Sequence, residues 1–382
     1  MTLTLGWGRS PLSVQVPEST RTIVGKDVEE GVWGSLIDEA LSAPVASAPL
    51  RERVAEARSI CILMPDSSRK GVARHMLPPV LAQIPEHVSI SLGVAGGKHP
   101  PEAPPASARV LVESRGGTTW SHDAYAEDLV EVGRTDHGTV VCYPSAVVEA
   151  DLVITLGEIR PHYFAGYAGG YKGLFPGAAG APGIWHNHTL KAAPGARLGV
   201  VEGNPCRADL EAAGAMAGPA FIVNVVRGSE GGPVAVVAGD PVEAHRVGVM
   251  RARELFEVQV SRKAPVVMVS DRWPVTMNLY QACKLLVPAG RVLEEGGTII
   301  LAAACEEGLG PIDVINDKIY RLGIVHSLPE HHRVILVSTQ PSEKVALSFA
   351  DYAPDIATAL EMAGAGPLLV MPRAGELVPV MS

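Results

Sequence analysis

Between Leu152 and Gly180 the chain reads LVITLGEIRPHYFAGYAGGYKGLFPGAAG. Its first five residues, Leu152–Leu156, form a short apolar run of the length expected for a buried strand. The run hands over to a loop in which one histidine, one lysine and five glycines fall within Pro161–Gly177. Glycine is wanted where backbone takes positive φ or approaches a neighbour closely, so the glycines alone read equally well as a turn. Outward from this stretch, Ser59–Met64, Val88–Val94 and Val140–Tyr143 read as further buried strands, and Gly71–Gln83 and Ala208–Met216 as helices. Strands alternating with helices make an α/β protein.

Two familiar readings of a glycine-rich loop fail here. A P-loop needs Lys directly after the last glycine and then Ser or Thr, whereas Tyr171 separates Gly170 from Lys172 and Gly173 follows. The spacing Gly166, Gly169, Gly170 does not make the dinucleotide fingerprint either.

The chain has 382 residues, 47% hydrophobic and 19% charged, which excludes a disordered protein and is long enough for two or three domains. Near Phe256–Pro265 (FEVQVSRKAP) it turns polar and basic before a new βα series starts at Val266. A first α/β domain is therefore expected over 1–258 and a second over 264–371, with the apolar segment 372–382 packing back on the first. Lys and Arg number 32 against 41 Asp and Glu, a net charge of −9 that speaks against nucleic acid as partner. No apolar run approaches the ~18 residues of a membrane span, and MTLTLGWGRS lacks the pattern of a signal peptide, so a cytoplasmic protein without a membrane partner is expected. Five cysteines without a CxxC pair suggest neither a disulfide framework nor a thiolate zinc site.

The stretch Pro161–Gly177 resembles the lactate racemase family, enzymes that use a nickel-pincer nucleotide, in the pattern PHxFAGxxGGxKxxxPG. Asp66-Ser-Ser-Arg69, Ala95-Gly-Gly-Lys-His99, Asn187-His188, and Asn278-Leu-Tyr-Gln281 with Lys284 support it in the same order. The resemblance implies two α/β domains with the active site in the cleft between them. It implies a pyridinium-3,5-bisthiocarboxylic acid mononucleotide carrying nickel, attached covalently through Lys172, with His188 as nickel ligand and Asp66, Ser68, Gly169, Gly170 and Tyr280 around the cofactor. His99 and His162 are implied as acid/base catalysts on opposite faces of a 2-hydroxy acid, with Arg69, Gln281 and Lys284 completing the catalytic set. Proteins that make and insert the cofactor are the implied partners. The chemistry suits these residue types: imidazole titrates near neutrality, Ni(II) accepts imidazole and sulfur donors in a square plane, and the planar fork of Arg fits a carboxylate. His186, two residues from His188, is expected to face elsewhere, and His122-Asp123 to lend support from behind.

Three positions depart from the family's common pattern: Lys70 where Pro follows Arg, Pro100 where Arg follows the histidine, and Thr276 in place of Asp. Two other functions remain open on the residues. A zinc or iron hydrolase could use His99, His162, His186 and His188, although no HExxH spacing is present. A noncatalytic protein that binds a nucleotide cofactor could keep Lys172 and the glycines.

Overall fold

The computed structural model describes residues 1–67 and 71–382. The chain forms two compact units, Asp27–Ala196 with Val200–Leu255, and Met1–Lys26 with Arg197–Gly199 and Phe256–Ser382.

The sheet of the first unit has six strands in the order Pro233–Gly239, Ala220–Arg227, Leu152–Glu158, Ser59–Pro65, Ser89–Ala95 and Thr118–Ser121. All pairs are parallel except that of Pro233–Gly239 at the edge. Strand side chains alternate between faces. Ile60, Ile62 and Met64 accordingly join one apolar cluster with Val72, Met76 and Val80 of the Val72–Leu81 helix. Cys61 and Leu63 join another with Leu174, Phe175, Ile184 and Leu210. That second face carries the end of the glycine-rich loop and the helices Ala181–Thr189 and Pro205–Ala215. Val140–Tyr143 is a strand as expected, but it pairs antiparallel with Val130–Arg134 outside the main sheet.

The second unit has a fully parallel sheet in the order Asp351–Ala353, Arg333–Val337, Leu293–Ala302, Ala264–Val269, Leu368–Met371 and Arg21–Thr22. Two expectations about the chain ends are corrected here. Residues 1–26 do not belong to the first unit, because Arg21–Thr22 extends the second sheet and the hairpin Thr2–Trp7/Ser10–Gln15 buries Leu5 and Val14 with Val266, Met268 and Ile300. The closing segment does not return to the first unit, because Val378–Met381 pairs in parallel with Glu257–Val260 of the second. Both outcomes depend on strand pairing between segments far apart in sequence, which local apolar patterning does not report. Among the described residues no helix is long and apolar enough to cross a membrane.

Candidate active site

From the central strand Ser59–Pro65 the chain moves outward through Ser89–Ala95 and Thr118–Ser121, then returns to place Leu152–Glu158 on the other side. Strand order therefore reverses between Ser59–Pro65 and Leu152–Glu158, and ligands of open α/β sheets bind beyond the carboxyl ends of strands at such a point. Asp66 follows the first of these strands and the segment leading to His162 and Lys172 follows the second. His99 and His122 follow the two strands beyond. Ser68, Arg69 and Lys70 lie outside the described residues.

His162 stands on a short hairpin, Pro161–His162 against Gly166–Tyr167. Its Nδ1 accepts the Ala165 N–H at 3.2 Å, and its ring meets Phe164 edge-on at 4.6 Å. Phe164 also meets the ring of His188 at 5.2 Å, so the two imidazoles flank one phenyl group. His188 is in the last turn of the helix Ala181–Thr189, where its Nδ1 donates to the Ile184 carbonyl at 2.5 Å. Burial, with the nearby charges of Lys98, Lys172 and Lys191, pushes its pKa down to about 3. The ring is therefore neutral near pH 7 and keeps the Nε2 lone pair for a ligand.

His99 is held differently. Its side chain is 55% exposed, and its Nδ1 makes a 2.6 Å contact with Oδ2 of Asp66, which is mostly buried. Asp66, expected beside the cofactor, is thus also the orienting carboxylate of His99. His186 bonds the His137 carbonyl at 2.8 Å, turned to a partner of its own as expected. His122 is buried against the Ala179 carbonyl, and desolvation lowers its pKa, so it serves as a support for the loop's far end. Among the described residues no three His, Cys, Asp or Glu side chains form a metal-holding group.

Gly169 and Gly170 have φ values of 86° and 64°. A Cβ on Gly169 would come within 2.7 Å of Asn224 Oδ1, and one on Gly170 within 3.0 Å of His245. These two glycines are accounted for by their own backbone and by close packing on the protein, with no ligand needed to explain them. In the second unit, Asn278 caps the short helix Leu279–Ala282 by accepting the Gln281 N–H. Lys284 Nζ donates to Gln281 Oε1 at 2.5 Å, and Nζ lies 5.2 Å from the Tyr280 ring centre, so these three expected residues do form one group.

A sequence model described as the lactate racemase N-terminal domain matches residues 7–199, half of the chain. The chain belongs to the lactate racemase family. It is 29% identical to the lactate racemase of Thermoanaerobacterium thermosaccharolyticum over 398 aligned positions, covering 94% of this chain and 93% of the relative. With the lactate racemase of Lactiplantibacillus plantarum it shares 28% over 328 positions, 78% and 76% of the two chains. The solved lactate racemase apoprotein from T. thermosaccharolyticum superposes with a TM-score of 0.88 at 25% identity, covering both chains completely. As a member of this family the protein is an enzyme of the isomerase class.

The lactate racemase family pattern did not point to the side chains that hold the Phe164–Gly170 backbone in place. Arg207, fully buried on the helix Pro205–Ala215, donates to the carbonyls of Ala165 at 3.4 Å, Gly169 at 3.2 Å and also Tyr167. Asn204 donates to Phe164 and Val200, His245 donates to Ala168 at 2.9 Å, and Asn224 accepts from Gly170 N at 2.7 Å. Burial pushes the Arg207 pKa down to about 10, still charged at neutral pH, with Glu211 3.8 Å away. Buried backbone polar groups require partners, and here three side chains donate to the carbonyls of Phe164, Ala165, Tyr167, Ala168 and Gly169 while Asn224 accepts from the Gly170 N–H, all between His162 and Lys172. The only sequence signal for this was the presence of charged and polar residues in otherwise apolar surroundings, such as Arg207 on a helix whose Leu210 and Ala213 are core.

Proposed function

We propose that the protein interconverts the enantiomers of a 2-hydroxy acid, lactate being the substrate named for its relatives. It would do so with a nickel-pincer nucleotide attached through Lys172 and liganded by His188. The observation that carries this reading is the pairing of Lys172 with a neutral imidazole whose Nε2 is left for a metal. The donor chemistry fits. Among the described residues no side-chain group can complete a metal site, so nickel at His188 needs donors from an organic ligand, and sulfur with imidazole suits Ni(II). The lysines near His188 suit a group bearing phosphate and thiocarboxylate charge.

When bound, the group supplies a reversible hydride acceptor, through which the substrate passes as a 2-keto acid; no side chain offers that chemistry. The chain's own residues handle protons and position. His99 takes the hydroxyl proton of one enantiomer, His162 that of the other, and each gives it back in the opposite direction. Asp66 holds the His99 ring by Nδ1 and turns Nε2 outward for this exchange. Arg69, with Gln281 and Lys284, is assigned to the substrate carboxylate, and Tyr280, Ser68 and Asp66 to the cofactor, on the family resemblance.

The test is to load the protein with the nickel cofactor and follow loss of optical activity from enantiopure 2-hydroxy acids, with peptide mass spectrometry on the product. An adduct on Lys172 and reduced nickel retention in His188→Ala are expected. Active, nickel-containing enzyme with unmodified Lys172 would overturn the attachment, and full nickel occupancy in His188→Ala would remove that ligand.

A further inference from the structure

Lys98 directly precedes His99 in the turn after the Ser89–Ala95 strand, yet its side chain goes to a different partner. Its Nζ lies 3.0 Å from the centre of the Trp185 ring. Trp185 and His188 are three apart on the helix Ala181–Thr189 and therefore neighbours on its surface. The Lys98 ammonium thus rests on the helix that carries His188, close enough for its charge to act on that imidazole, and belongs to the residue next to His99.

Among the described residues no carboxylate lies within ion-pair distance of this ammonium. Burial, with the like charge of Lys191, lowers its pKa to about 8. An aromatic face attracts a cation but leaves much of its lost hydration unreplaced, which makes the group a receptor for an incoming anion. The surroundings indicate which kind. Trp185 is 43% exposed and His99 is open to solvent, whereas Lys191 is 5% exposed. Lys98 therefore faces the open side of the turn, suited to a group that enters and leaves with every turnover. The closed side, at Lys191, suits one that stays.

We propose that Lys98, seated on Trp185, receives a second carboxylate carried by the substrate, so that the preferred substrate is a 2-hydroxy dicarboxylic acid. This rests on the racemase reading and deepens it. The same ammonium could be met by the phosphate of the nucleotide, and the experiment separates the two sources.

Cofactor-loaded wild type, Lys98→Met and Lys98→Arg are assayed with enantiopure hydroxysuccinate and lactate. Wild type is expected to favour hydroxysuccinate in kcat/KM by about tenfold or more, the scale of one charge-assisted contact. Lys98→Met should erase that preference through KM, and Lys98→Arg should restore most of it. A wild type that handles lactate as well as hydroxysuccinate, or a ratio that Lys98→Met leaves unmoved, overturns the proposal. Calorimetry on unloaded protein gives an independent reading with succinate, acetate and nicotinic acid mononucleotide. Weaker succinate binding in Lys98→Met supports the proposal, equal binding refutes it, and weakened mononucleotide binding alone assigns Lys98 to the nucleotide phosphate instead. Should loaded enzyme racemise neither acid, the racemase reading falls, while the succinate comparison still decides the anion site.

Discussion

His162 is carried by a hairpin whose following backbone is gripped from within by Asn204, Arg207, His245 and Asn224, and its ring is packed on Phe164. His99 is carried by a turn at the surface, with more than half of its side chain in solvent and a single carboxylate at Nδ1. The two residues are proposed for the same task on mirror-image substrates, yet one is placed by the protein interior and the other by one contact. Disturbing the first means disturbing the fold around it. The second can be loosened by a single surface-side substitution.

The largest expected effect comes from removing either base. His99→Ala and His162→Ala should each lower racemisation in both directions by ~10²–10⁴-fold. Single-turnover absorbance with each pure enantiomer should leave opposite half-reactions in the two variants. Near wild-type racemisation, or survival of the same half-reaction in both, would break the pairing of the two segments as complementary bases.

Asp66→Asn comes next, with a loss of roughly 10–100-fold, the usual scale for a group that orients a functional histidine. Urea denaturation should show little change, since Asp66 acts on an exposed side chain. A large drop in stability with intact activity would reverse the contrast drawn between the two segments.

Arg207→Met should behave the opposite way. It strips donors from three buried carbonyls, while Glu211 keeps Arg246 at 2.8 and 2.9 Å. Leaving such groups unsatisfied costs about 1–3 kcal/mol each where they cannot relax, so a loss of about 2–4 kcal/mol in denaturant unfolding is expected. A shift below about 0.5 kcal/mol would show that the loop does not depend on the guanidinium, since changes of that size are typical of surface positions without such features.

The smallest effect concerns pH. Burial, followed by the charge of Arg207, holds the His245 pKa well below its usual value near 6.5. The unfolded chain therefore takes up a proton as pH falls below about 6.5 while the folded one does not, so stability present above that pH is lost toward acid. Urea midpoints measured between pH 7 and 5 should fall more steeply in wild type than in His245→Gln, whose amide can still reach the Ala168 carbonyl. Identical slopes would mean that His245 contributes nothing to this dependence.

Legibility in the sequence followed the range of the interaction. Leu152–Leu156, Ser59–Met64 and Val88–Val94 were readable as strands because apolar runs of strand length must be buried wherever they go. Family membership was readable from His162, Gly166, Gly169, Gly170 and Lys172, since a chemical pattern at fixed spacing survives without knowledge of the fold. Gln281 and Lys284 could be paired from helical spacing alone, and they are bonded.

Tertiary structure alone decided the rest. Arg21–Thr22 and Val378–Met381 joined the second unit through strand partners hundreds or scores of residues away, and no local preference encodes a partner at that distance. Arg207, Asn204, Asn224 and His245 became the supports of the glycine-rich loop only when two helices and a strand brought them beneath it. The sequence by itself determined which groups this protein has for chemistry. Which of them are held rigidly and which stand open was decided by folding, because a donor's partner is set by position in space and residue spacing constrains that only within one turn or one strand.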